Sequence, residues 1–301
     1  MYIQLLIILL GFIALKWYPQ VGSEANQAKQ HKKYIIFMMI LLVLQSGLRH
    51  VSVGADTFNY YNIFLDVQSS SWYSLWQDCL NFYYYGVGKD PGYHFLLKAI
   101  QVVLPTFQLY LIGLAIFVFY GLGCLFKRYT QSNYEVLVAV SLFQCLYYSF
   151  FSITGLRQTM ATGFLFLAIP FVSKRKPLQF FLLVLIAATQ HKSALLFAPF
   201  YFLQLVRNSR AMLIAAFVSF VPMWIYGGRV LGDFMAGTTF EQYAGYLDRN
   251  ERAGAYGFTA YILLLGALLV YYYKKIKLDN HVGVSIILNA VAVAIVLHHL
   301  Q

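Results

Sequence analysis

Apolar residues in this chain do not alternate. They run in long unbroken blocks separated by short polar turns. A helix that crosses hydrocarbon needs about 20 apolar residues. Ten segments approach that length: Tyr2–Tyr18, Lys33–Leu48, Phe107–Phe126, Tyr134–Phe151, Gly155–Val172, Leu178–Gln190, Ser193–Val206, Ala211–Tyr226, Phe258–Tyr273 and His281–Leu300. Leu178–Gln190 and Ser193–Val206 are short. Reading them as one long helix would move every later loop to the other side. Two longer segments, 49–106 and 227–257, are rich in Tyr, Trp, Gly and balanced charge. In the first, Gly92–Leu104 reads as a half-length apolar helix stopped by Pro105, lying in or dipping into the interface. The expected fold is therefore all-α: a polytopic transmembrane bundle of about ten helices, one integral membrane domain over 1–301. Its loops 49–106 and 227–257 would be extracytoplasmic and carry short interfacial helices.

Composition strengthens this picture. Hydrophobic residues make up 60% and charged residues 11% of the 301 positions, a balance that excludes a soluble domain of this size. The net charge of +11 raises nucleic acid as a partner, and the placement of the charges removes it. In a ten-helix threading, 14 of the 22 basic residues fall in one set of short loops, against Glu24, Glu135 and Asp279. The whole positive excess lies on one face, which the positive-inside rule makes cytoplasmic. Met1–Leu15 has no basic leader region, and Lys16 follows the apolar run, so the segment reads as a retained first helix with its N-terminus outside. Cys79, Cys124 and Cys145 form no CxxC pair and suggest no disulfide framework.

Eight cations remain on the outer side: Arg49, Lys89, Lys98, Arg157, Lys192, Arg229, Arg249 and Arg252. Charge near hydrocarbon is costly and is commonly paired or functional. Arg157, followed by Gln158 in "SITGLRQTM", either snorkels to the interface or turns its planar fork to a phosphate. His191 and Lys192 in "ATQHKSALL" are either a polar turn with Ser193 capping the next helix, or a proton acceptor beside an anion contact. Asp56 in "VGADTFNYYNIF" either caps a helix starting at Thr57, or stands near Arg49 as a base or a clamp on a sugar hydroxyl. On such a helix Asp56, Tyr60 and Phe64 share a face. Tyr83, Tyr84, Tyr85 and Tyr93 add aromatic surface suited to sugar rings, as an interfacial aromatic belt also would. The sequence holds no HExxH, no Walker loop, no GxGxxG after a strand and no paired Cys/His spacing, so no metal or nucleotide site is expected.

Four stretches, "LRHVSVGADTFNYYNIF", "DPGYHFLLKAI", "GLRQTMATGFLFLA" and "KRKPLQFFLLVLIAATQHKSALLFAPFYFL", resemble in order the EpsG family of bacterial membrane proteins, grouped with Wzy-type polysaccharide polymerases. The match runs from Leu48 to Leu203. It points to Arg49, Gly54, Asp56, Tyr60, Asp90 (where glutamate is common in the family), Arg157, Gln158, His191 and Ser193. The resemblance implies transfer of a growing glycan from undecaprenyl diphosphate to the next lipid-linked repeat unit, on the outer face of a bacterial cytoplasmic (inner) membrane. The product would be an exopolysaccharide, capsule or O-antigen. The bond to diphosphate is already activated, so no cofactor is implied. On this reading Asp56, His191 and Arg157 are catalytic. Arg49, Tyr60, Asp90, Gln158, Lys192, Arg249 and Arg252 bind the undecaprenyl-diphosphate-linked oligosaccharide. Membrane lipid, a flippase and a chain-length regulator are the expected partners. A transporter or flippase of lipid-linked oligosaccharide, or an O-antigen-ligase-like transferase, are the rival readings. A transporter calls for midplane charges or internal repeats, whereas here the charges sit at helix ends.

Overall fold

The apolar blocks become helices, and no strand occurs among the described residues. The structure is a computed structural model that describes residues 2–54, 56–88, 90–148, 155–206, 208–236, 255–273 and 284–297. Arg249, Arg252, Lys89 and most of the expected second loop lie outside the described residues. The chain divides into two compact units, Met1–Ala198 and Pro199–Gln301.

In the first unit the helices are α1 (Tyr2–Ala14), α2 (Glu24–Gly47), α3 (Thr57–Ser69), α4 (Trp72–Tyr85), α5 (Pro91–Gln101), α6 (Phe107–Tyr129), α7 (Asn133–Leu146), α8 (Leu156–Ser173) and α9 (Pro177–Gln190). A 3₁₀ segment, Lys192–Leu205, follows and runs across the division at Ala198–Pro199. Hydroxyl caps fix several starts: Ser23 accepts from the Asn26 N–H, Thr106 from Leu109 and Ser132 from Glu135. The expected break after Gln190 is present. His191 is extended, and Pro199 inside the 3₁₀ segment has no N–H to give an α-helical ladder. The expected first outer segment holds three short helices, α3 to α5. The anticipated Gly92–Leu104 helix is α5, ending at Gln101.

Helix α2 packs on α6, α6 on α8, and α8 on α9, while α1 lies against α7. Two apolar clusters hold the unit together. One joins α1, α2, α6 and α7 around Tyr34, Met38, Phe119 and Val140. The other joins the short helices to α6 and α8 around Phe64, Tyr93, Leu97, Tyr110 and Leu156. Polar side chains tie the helix ends together. At one end Gln144 donates to Gln45, Gln108 to the Gly47 carbonyl, and the Ser46 hydroxyl to that of Tyr148. At the other end Gln20 donates to the Gln131 carbonyl and Arg128 to Ser173. Helices α6 and α8 are long and apolar enough to cross a membrane by length and composition. Helix α1 exposes Tyr2, Ile3, Leu5, Leu6, Leu9 and Phe12, an apolar face of the kind that a lipid-facing helix presents.

The second unit contains α10 (Ser209–Met235), α11 (Ala255–Tyr271) and α12 (Val284–Leu297). Helix α10 continues well past Tyr226, where the apolar pattern ends. Leu213, Ala216, Leu288, Ala292 and Ile295 form its core. Buried Asn289 donates to the carbonyls of Leu203 and Val206, which close the 3₁₀ segment.

Candidate functional site

The stretch "DPGY" explains how a carboxylate comes to be buried at one end of the first unit. Asp90 has a left-handed backbone, φ 46°. That region costs an ordinary L-residue roughly 1–2 kcal/mol, and Asp tolerates it better than most. Pro91 then starts α5 with its φ already helical. Gly92 lies so close to the end of α9 that a Cβ there would sit 2.5 Å from the Thr189 carbonyl oxygen. Gln190 donates to the Gly92 carbonyl at 3.4 Å. The start of α5 is thereby laid on the end of α9, with Asp90 facing the residues that follow α9.

Three groups converge on the Asp90 side chain, which is 3% exposed. Arg157 Nη1 is 3.4 Å from Oδ2. His191 Nδ1 is 3.3 Å from the same oxygen. The Lys192 N–H donates to Oδ1 at 3.3 Å. Burial alone would raise the Asp90 carboxyl. The hydrogen bond and charge of His191, the charge of Arg157 and the Lys192 N–H outweigh burial and hold Asp90 below the usual carboxylate range. The carboxylate is hidden, but its partners are not: the Arg157 and His191 side chains keep 22% and 25% exposure. Among the described residues, His191 Nε2 has no hydrogen bond.

An aromatic wall backs the cluster. The Arg157 guanidinium also lies beside the Tyr60 hydroxyl. Tyr60 meets Tyr93 edge-on at 6.1 Å, and the Tyr93 hydroxyl pairs with that of Tyr110 at 2.9 Å. On the other side the Lys192 ammonium stands 4.4 Å from the centre of the Phe82 ring, close enough for a cation–π contact. Phe82 leads directly into Tyr83, Tyr84 and Tyr85, all strongly exposed at the end of α4.

The other expected residues have different settings. Tyr60 and Phe64 share a buried face of α3, as their spacing requires. Asp56 is exposed one residue before that helix, and its side chain makes no capping bond. Gly54 supplies the turn with φ 103°. Arg49 is 8% exposed and donates from Nη1 to the Ser46 carbonyl at 2.6 Å. Among the described residues no ion pair joins Arg49 to Asp56. Gln158 is half-buried, and its carbonyl accepts the Thr162 hydroxyl. Ser193 is exposed. The turn before it is closed by the Ala194 N–H to the His191 carbonyl at 3.0 Å rather than by a serine cap.

Sequence reading missed three contributors: Gly92, Phe82 and His94. Of these His94 carries titratable chemistry. It lies one turn into α5, half-buried. Burial first, and then the Arg157 charge, hold it below the ordinary histidine value, against the pull of Asp78 and Asp90. Its spacing of four residues from Asp90 was the available signal. No group of three or more His, Cys, Asp or Glu that could hold a metal is found among the described residues. The model of the EpsG family matches residues 32–300, nearly the whole chain. No curated protein and no solved structure matches.

Proposed function

The chain belongs to the EpsG family, which makes it a membrane protein of polysaccharide biosynthesis of the polymerase type, and on that premise we propose that it polymerises a lipid-linked glycan. A sugar hydroxyl of the incoming lipid-linked repeat unit attacks the anomeric carbon of the growing glycan. The new glycosidic bond forms as the bond from that carbon to the diphosphate oxygen breaks. Undecaprenyl diphosphate leaves with the bonding electron pair. The chain crosses the inner membrane through about ten helices, and the Asp90 end of the first unit faces outward, away from the loops rich in Lys and Arg.

The observation that carries this reading is the Asp90 carboxylate shared by His191 and Arg157. With Nδ1–H donated to Asp90, the His191 lone pair is on Nε2, where it takes the proton of the attacking hydroxyl. Asp90 is a positioning residue that fixes the ring and steadies the imidazolium as it forms. Arg157 and Lys192 meet the charge that grows on the leaving diphosphate. The cluster carries one more cation than anion before the proton moves, and the transfer to His191 adds another. The exposed tyrosines at the end of α4 give sugar rings a surface beside Lys192. Asp56 clamps an acceptor hydroxyl, and Gln158 extends the substrate contacts.

The test is reconstitution of the purified protein in vesicles with lipid-linked repeat units as the sole substrate. Stepwise lengthening of the lipid-linked glycan with release of undecaprenyl diphosphate is expected. Units that cross the bilayer without lengthening would make the protein a flippase. Transfer only to a different lipid acceptor would make it a ligase.

A further inference from the structure

Arg175 breaks a local rule. It follows Lys174, the residue that caps the end of α8, and its backbone is left-handed, φ 53°. The turn is closed by two hydrogen bonds. The Arg175 N–H donates to the Val172 carbonyl and the Lys176 N–H to that of Phe171, each at 3.0 Å. Glycine is the usual residue at this position of such a turn, because it takes the conformation with no Cβ penalty. A positive charge elsewhere in the loop would serve the positive-inside rule equally well. That rule therefore does not explain an arginine at the one position where glycine fits better.

Arg175 is the middle of three successive exposed cations, Lys174, Arg175 and Lys176. A fourth, Arg128 at the end of α6, is tied to the same turn by its Nη2, which donates to the Ser173 hydroxyl at 2.7 Å. The Lys174 ammonium stands 5.7 Å from the centre of the Phe171 ring. Among the described residues none of the four forms an ion pair. An apolar stripe begins at the same turn. Leu178, Leu182 and Leu185 are exposed on α9 at spacings of four and three residues, which places them on one face of the helix. Unpaired cations at the helix ends, with an apolar stripe leading away from them, complement an anionic head that carries hydrocarbon chains. Free phosphate would use the cations and leave the stripe bare. We propose that this end of α6, α8 and α9 binds an anionic phospholipid, with its phosphate among Arg128, Lys174 and Arg175 and its acyl chains along α9. The site lies at the opposite end of α8 from Arg157 and does not depend on the transferase reading.

Purified full-length protein in micelles of a neutral detergent, titrated at fixed ionic strength with phosphatidylglycerol, phosphatidylcholine or inorganic phosphate, tests this. Phosphatidylglycerol should raise the thermal midpoint saturably, by roughly 4 °C at a hundredfold excess over its dissociation constant. Phosphatidylcholine and phosphate should not. Arg175→Gly separates the lipid from the fold. Without lipid its midpoint should equal or exceed the parent's, because the strained turn is relieved. It should also need about fivefold more phosphatidylglycerol for half of the rise, the scale of one basic residue near an anionic surface. Lys174→Gln is the second variant and should show the same loss. Lys16→Gln, at an exposed lysine just after α1, a helix that packs on α2 and α7, should respond as the parent does. Equal responses to the two lipids, a rise with phosphate alone, or an unchanged response in both Arg175→Gly and Lys174→Gln overturns the proposal. So does a loss in Lys16→Gln as large as theirs, which would mean general attraction to a basic protein.

Discussion

Two histidines at opposite ends of the first unit are held in nearly the same way and differ in one atom. His191 points Nδ1 at the side-chain oxygen of Asp90, the residue that precedes α5. His31 points Nδ1 at the side-chain oxygen of Asn133, the first residue of α7, at 2.9 Å. The second nitrogen separates them. His31 Nε2 lies 3.2 Å from the Thr130 carbonyl oxygen and 3.1 Å from its hydroxyl. Asn133 in turn donates to the Tyr18 carbonyl, and its N–H donates to Gln20. Every polar atom around His31 is used to lock α1, α2, α6 and α7 together, and the ring is 8% exposed. Among the described residues His191 Nε2 has no hydrogen bond, and the side chain is 25% exposed. A histidine oriented on one side and unengaged on the other can accept a proton. One engaged on both sides is a structural lock.

The comparison breaks most directly by exchanging the two phenotypes. His191→Ala should lower polymerisation about 100-fold or more, the scale of a lost general base, with normal protein levels. His31→Ala should leave Asn133 unsatisfied, at about 1–3 kcal/mol. It should lower the amount of protein and its thermal midpoint while activity per molecule survives. Polymer length on gels and quantified membrane protein read both. A His31→Ala protein that accumulates normally but is inactive would reverse the assignment.

Arg157→Lys comes next. Lysine keeps the charge but lacks the fork that reaches Asp90 and Tyr60 and that, in the proposed reaction, also meets the diphosphate. A loss of roughly 10- to 100-fold in turnover, with normal accumulation, is expected in the vesicle assay. Full activity would reduce Arg157 to an anchor for α8.

Asp90→Asn sharpens the comparison further, because it turns the His191 arrangement into the His31 one. Loss of a positioning carboxylate should cost about tenfold in activity, and the acid side of the pH–rate profile should shift with it. The folded carboxyl is held below its usual value. Asp90 therefore adds stability above the unfolded value of about 3.9, which is lost as pH falls through the folded value. The thermal midpoint of the parent should drop in that acid range, and the drop should be smaller in the asparagine variant. Identical acid limbs would show that Asp90 is not paired in solution.

The sequence was most legible where one property repeats over many residues. Unbroken apolar runs located α6 and α8 almost to the residue, and the "QHKS" break held. Helix α4 was not anticipated, because its run of Trp and Tyr has no core periodicity: only Leu75 is buried. In the candidate site Asp90, Arg157, His191 and Lys192 were each picked out, and Arg157 and His191 were expected to share a cavity, but Asp90 as the residue that joins them was not. Asp90 and His191 are 101 residues apart, and the close fit of Gly92 against Thr189, with the Gln190 bond to the Gly92 carbonyl, brings them together. Proximity in sequence suggested Arg49 with Asp56 instead. The turn at Gly54 exists, yet it leaves one side chain buried and the other exposed.

Asp56 carries the smallest expected effect. Its side chain makes no capping bond to α3, so helix stability gives no reason for a carboxylate rather than an amide. Asparagine caps about as well in any case. Asp56 is exposed one residue before a helix whose Tyr60 lies near Arg157, and the proposed reaction gives it the acceptor sugar to grip and His191 the proton. A hydrogen bond to a charged group contributes about 1.5–3 kcal/mol, and asparagine retains part of it. Asp56→Asn should therefore raise the acceptor concentration needed for half-maximal rate several-fold and leave the maximal rate nearly unchanged, with Asp56→Ala somewhat worse. A collapse of the maximal rate in Asp56→Asn, matching that of His191→Ala, would move the base from the end of α9 to the start of α3. Asp90 would then be holding a histidine for structure, as Asn133 does.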